Sequence, residues 1–224
     1  MKVKILLTIV MYLFVTHTSY GQINPGQILL GGSISYNNNN SNTQASNNYK
    51  NENFATSIQV GKSIKNNRVE GIIISYSNSN SHILGFPDSN FSRVNQINAG
   101  VFYRMYKRIF KDFYFFGEAD LLYSHIKNDQ GYPQNGSNSS TTNSNGGILT
   151  FFPGVSYALC KRMQVELLVP NLLSASYYRT SSVNTQETPS SVTHEKGYNF
   201  SIGANLNSNL LYSFGIGFKF LLGK

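Results

Sequence analysis

The chain has 224 residues and carries 18 Lys and Arg against 10 Asp and Glu, a formal net charge of +8. Charged residues make up only 12% of it, Tyr and Phe number 15 each, Trp is absent, and there is one cysteine. That length fits one domain, and a single cysteine excludes an internal disulfide. The basic residues form no single helix face and match no known nucleic-acid motif, so nucleic acid is not indicated as a partner.

The N-terminus reads as a secretory signal peptide over residues 1–21. Lys2 and Lys4 form a short positive region, and Ile5 to Val15 is an apolar run broken by Thr8 and Tyr12. Small residues follow at Ser19 and Gly21, which predicts cleavage before Gln22. The run is too short to span about 30 Å of hydrocarbon. With those residues set aside, the remaining domain, 22–224, has 16 Lys and Arg against 10 Asp and Glu, about +6. No cysteine stands at the cleavage site, so a lipoprotein anchor is not expected. No later segment approaches 18 apolar residues, so no further transmembrane helix is expected.

Segments of period-2 pattern then recur. Segments 27–37, 54–64, 69–79, 93–106, 113–126, 147–159, 163–179 and about 197–222 read as strands. Long polar stretches at 38–53, 80–92, 127–146 and 180–196 read as loops, rich in Asn and Ser. They alternate with tight turns at 65–68, 107–112 and 160–162. About eight strands with alternating long and short connections predict an all-β, antiparallel, up-and-down transmembrane barrel, with short periplasmic turns and long outer loops. Strands of about 11 residues or more are long enough to cross a bilayer when tilted.

Parity assigns the faces of most strands. In 113–126 the odd residues, including Phe113, Phe115, Leu121 and Tyr123, oppose Glu118, Asp120 and Ser124. In 96–106, Ile97, Ala99, Val101 and Tyr103 oppose Asn98, Gly100, Phe102 and Arg104. In 163–170, Val165, Leu167 and Val169 oppose Gln164 and Glu166. In the last strand, Tyr212, Phe214, Ile216, Phe218 and Phe220 form a lipid-facing row against Ser213, Gly215, Gly217 and Lys219. Segment 69–79 gives no clear inward face. The last segment is expected to be one long strand with an irregularity near 207–209, paired with 163–179, in which Pro170 marks a bulge or kink.

The signal peptide, the Gln22 start, the Asn/Ser-rich loops and the aromatic last strand together resemble outer membrane β-barrel domain proteins of Bacteroidota type, similar to small eight-stranded barrels of the OmpA/OmpX kind. The resemblance is one of pattern over the whole domain and implies location in the outer membrane of a Gram-negative cell. It implies outer-membrane lipid as surroundings and the barrel assembly machinery as a partner in biogenesis. Such barrels often end in an aromatic residue, whereas here Leu-Leu-Gly-Lys follows Phe220.

The inward charges Arg104, Glu118, Asp120, Glu166 and Lys219 are expected to form a charge network in the lumen, because buried charges persist only when paired. A catalytic carboxylate pair or an ion path is the sharper alternative. Ser124 and His125 resemble the serine and histidine of outer-membrane lipid hydrolases, but neighbours in a strand point to opposite faces. His82 and His194 fall in loops, and no metal-ligand spacing is present. Gly31-Gly32 and Gly146-Gly147 lie in strands, so they do not cradle phosphate. No cofactor and no enzymatic activity are expected. The expected role is structural or surface interaction, with a narrow pore or a subunit of a transport or secretion assembly as the alternative and a lipid hydrolase behind it.

Overall fold

The computed structural model describes residues 23–42, 48–84, 90–132, 138–169, 172–187, 190–204 and 215–223. The signal segment, Pro170, and Tyr212 to Phe214 lie outside the described residues. Ten strands and no helix are present among the described residues: β1 (Ile28–Asn42), β2 (Asn48–Lys65), β3 (Arg68–Leu84), β4 (Phe91–Phe110), β5 (Phe113–Tyr132), β6 (Asn138–Cys160), β7 (Met163–Leu168), β8 (Leu173–Glu187), β9 (Ser190–Ala204) and β10 (Gly215–Leu222). All pairings are antiparallel. β1 to β7 pair in chain order, β7 pairs β10, and β10 returns to β1, closing a ring of eight strands.

The two longest predicted segments appear as two pieces each. β7 ends at Leu168 and β8 begins at Leu173; the bulge or kink expected at Pro170 and the irregularity expected near 207–209 lie outside the described residues. Near the turns, β6 pairs β7; farther up, from Phe151 to Ser139, it pairs β8. β9 runs beside β8, and β10 beside β7. Above Ser33, β1 pairs only β2 among the described residues, and β9 pairs only β8. The side chains of β9 are exposed on both faces at nearly every position.

The connections at one end of the ring are the predicted tight turns. Asn67 and Lys111 take positive φ, 60° and 37°, in two-residue turns, a conformation that asparagine tolerates well. Backbone bonds tie these turns to the neighbouring segments of the wall. Asn67 N donates to Ile23 O, Tyr106 N to Asn67 O, Ala158 N to Asp112 O, and Leu221 N to Arg162 O.

At the other end the structure departs from the sequence reading. The polar stretches read as long loops are largely strand. β1 continues to Asn42 and β2 begins at Asn48; β5 continues to Tyr132 and β6 begins at Asn138. His82 and His194, expected in loops, lie in β3 and β9. Asn and Ser are poor strand formers by propensity, but here they pair across strands. Asn78 Nδ2 donates to Asn95 Oδ1 (2.8 Å), Ser140 Oγ to Asn184 Oδ1 (2.6 Å), and the Thr142–Ser182 and Ser144–Thr180 hydroxyls bond at 2.9 and 3.0 Å. Such cross-strand pairs are the unit of sheet stabilisation. A 20-residue strand such as β5, at about 3.3 Å per residue and tilted ~45°, rises roughly 45 Å, well beyond the ~25 Å apolar band of a transmembrane barrel.

The faces alternate as parity requires. Ile72, Ile74, Val101, Leu121, Leu149 and Ile216 are among the exposed apolar residues on the outside, each between inward neighbours. Segment 69–79 resolves with its odd residues inward, since Val69 and Ile73 are buried while Ile72 and Ile74 are exposed.

Candidate functional site

The lumen is filled near the turns and hollow above them. The filling is aromatic and ionic. Phe102, Tyr106, Tyr114 and Phe116 are buried beside Leu29, Val69 and Leu221. Inward glycines make room for the large rings: a Cβ at Gly61 would lie 2.7 Å from Phe102 Cζ, and one at Gly154 would collide with the ring of Phe116.

Arg104 stands at the centre of this filling, 1% exposed. Its Nε pairs with Glu118 and its Nη1 with Glu166. Nη1 also donates to the Tyr106 hydroxyl (2.9 Å), which donates onward to Glu166 Oε1 (3.2 Å), and Nη2 donates to Gln59 Oε1 (3.3 Å). The guanidinium lies over the Phe116 ring, 4.4 Å from its centroid, within cation–π range. Gln59 Nε2 in turn donates to Glu118 Oε1 (3.2 Å), and Lys219 Nζ donates to Gln59 Oε1. Lys219 Nζ is 3.8 Å from Glu166 Oε2, an ion pair beyond hydrogen-bond reach. Side chains from β2, β4, β5, β7 and β10 therefore meet in one network.

Of the five charges singled out in the sequence, four enter these ion pairs. Asp120 does not: it is 4% exposed, forms no ion pair among the described residues, and its Oδ1 has no hydrogen-bond partner. Ile216, Phe218 and Phe220 face outward, alternating with buried Gly217, Lys219 and Leu221. Gln59 and Tyr106 were not singled out. Gln59 carries no charge to mark it, and neither does Tyr106, although parity puts it on the same face as Arg104.

Above the network lies a cavity of about 490 Å³ with Asp120 at its base. Ser57, Ser75, Thr150 and Ser176 line it with hydroxyls, and Leu122, Ile148, Phe152 and Leu168 form an apolar side. The polar wall is internally bonded. Asn98 Nδ2 donates to Ser75 Oγ (3.0 Å), Gln96 Nε2 donates to Asn98 Oδ1 (2.9 Å) and Ser124 Oγ (3.1 Å), and the Ser33 and Ser57 hydroxyls bond at 2.7 Å. Ser124 is fully buried inside, whereas His125 is exposed outside and bonds Asn145 Oδ1 (2.8 Å). The two point to opposite faces and cannot act on one substrate atom. No group of three or more His, Cys, Asp or Glu among the described residues is placed to hold a metal ion.

No protein-family model matches the chain. No curated protein sequence matches it significantly either. In overall shape it is similar to the outer membrane protein OprG from Pseudomonas aeruginosa, at 12% identity and a TM-score of 0.48, over 90% of this chain and 98% of that one. It is also similar to the outer membrane protease OmpT from Escherichia coli, at 9% identity and a TM-score of 0.44, over 90% of this chain and 94% of that one.

Proposed function

We propose that the chain is an integral β-barrel of the Gram-negative outer membrane, non-enzymatic, with a structural or surface-interaction role exercised by the part that projects past the bilayer. The observation that carries this reading is the outward row of large apolar side chains on every strand of the ring. Ile58, Ile72, Val101, Leu121, Leu167 and Ile216 are each 40% or more exposed around a polar or packed interior. In water such a surface far exceeds the few hundred Å² of apolar patch that a soluble monomer tolerates; in lipid it is the expected outer face of a closed barrel. The partners on this reading are outer-membrane lipid and, during biogenesis, the barrel assembly machinery.

The non-enzymatic reading is supported by the use of Arg104, Glu118 and Glu166 in one another's neutralisation and by the divergence of Ser124 and His125. The filling of the lumen near the turns weighs against the pore alternative, because an open path would have to pass Arg104, Tyr106 and Phe116.

The test is fractionation after expression, followed by reconstitution. Recovery in the outer membrane, a shift in gel mobility between unboiled and boiled samples, and absence of steady single-channel conductance are expected. Recovery in the soluble periplasm without detergent refutes the membrane reading, and a stable conductance refutes the plugged, structural one.

A further inference from the structure

Five charged side chains face the filled part of the lumen and the cavity floor: Arg104, Lys219, Glu118, Glu166 and Asp120. Two cations face three carboxylates, so the set is one cation short of pairing them all. Arg104 and Lys219 are committed to Glu118, Glu166 and Gln59. Asp120 is the carboxylate left without a cation: its Oδ1 is unpartnered, and it lines the 490 Å³ cavity. A buried carboxylate is costly to ionise unless it is paired, so Asp120 gains a charged partner only when a cation enters the cavity.

We infer that the cavity is a binding site for a small aliphatic ammonium compound, whose ammonium group pairs with Asp120. The inference rests on the barrel reading only for the direction from which the ligand enters. The chemistry of the walls favours this class. An ammonium group donates up to three hydrogen bonds, and Asp120 stands beside the Thr150 hydroxyl, its partner across β5 and β6. The methylene chain of such a ligand suits Leu122, Ile148 and Phe152, and a second polar end suits the serines above. An anionic ligand would face three carboxylates with both cations already engaged. A purely apolar one would leave Asp120 Oδ1 buried without a hydrogen-bond partner.

The experiment uses the full domain refolded into phosphatidylcholine vesicles, with folding checked by gel mobility before and after boiling. Binding of 1,4-diaminobutane is titrated by calorimetry, with 1,4-butanediol as an uncharged probe of the same length. Saturable binding of the diamine, with the diol at least about tenfold weaker, is expected, as is a loss of about tenfold or more in Asp120→Asn. Ser176→Trp, which fills the cavity without touching the charges, is expected to abolish binding, and it carries the test should Asp120→Asn not fold. Folded barrel that does not bind the diamine, binds diol equally, or binds diamine unchanged in both variants overturns the inference. Protein that stays soluble without vesicles overturns the barrel reading instead, and the same titration in buffer still decides the cavity.

Discussion

Arg104 on β4 and Glu166 on β7 meet across the lumen, although β5 and β6 stand between their strands in the wall. A bond between neighbouring strands repeats what the backbone ladder already does. A bond that skips two strands ties opposite parts of the ring together and fixes how it closes.

Arg104→Ala is therefore expected to be costly. It leaves Glu118 and Glu166 buried with Asp120 nearby and only Lys219 to offset them. Removing one partner of a buried pair costs about 3–5 kcal/mol. The measurement is the urea midpoint of unfolding from vesicles. Arg104→Met combined with Glu118→Gln and Glu166→Gln removes all three of those charges and is expected to recover much of the loss. An unchanged midpoint in Arg104→Ala would show that the network does not hold the ring.

Ile74 and Ser75 are neighbours on β3 that face opposite ways. Ile74 is 59% exposed on the outside, while Ser75 lines the cavity. A charge on the lipid face near the bilayer midplane costs about 2–4 kcal/mol. Ile74→Arg is expected to lower folding yield into vesicles sharply, whereas Ser75→Arg, placed near Asp120, is expected to fold. The reverse order would mean that the wall is inside out.

Parity was legible wherever a strand mixes large apolar residues with charges, because a period of two survives any choice of strand partner. Parity alone puts Arg104, Glu118 and Lys219 on inward faces without a register. It fails over Ile72-Ile73-Ile74, where three isoleucines in a row hide which one turns inward. It also fails at Gln59, whose role comes from Arg104 and Glu118 on other strands. Composition misleads in the Asn/Ser runs. Asparagine, which dominates them, disfavours a strand when considered alone, and only the register brings Thr142 opposite Ser182 or Asn78 beside Asn95.

Gly31 on β1 lies under the stem of Lys219 on β10, and a Cβ there would collide with the Lys219 side chain. Gly31→Ala is expected to push Lys219 away from Gln59 and Glu166, at about 1–3 kcal/mol for overpacking. Lys219→Ala removes the obstructing stem. In the double variant the penalty of the alanine at position 31 should largely vanish, a coupling that a double-mutant cycle reads directly. Additive effects of the two changes would show that Lys219 does not lie across Gly31.

The polar upper strands make the sharpest difference between loop and sheet, and hydrogen exchange distinguishes the two. From Ser139 to Phe151, β6 pairs on both edges, with β5 on one side and β8 on the other. An antiparallel strand directs alternate amides to alternate neighbours, so nearly every amide in this stretch is expected to exchange slowly. β9 pairs only with β8 among the described residues. Its amides should alternate, those facing β8 protected and those facing away exchanging freely. Uniformly fast exchange over 139–146 would return this stretch to the loop that its composition suggests. Continuous protection along β9 would show instead that a further strand covers its outer edge.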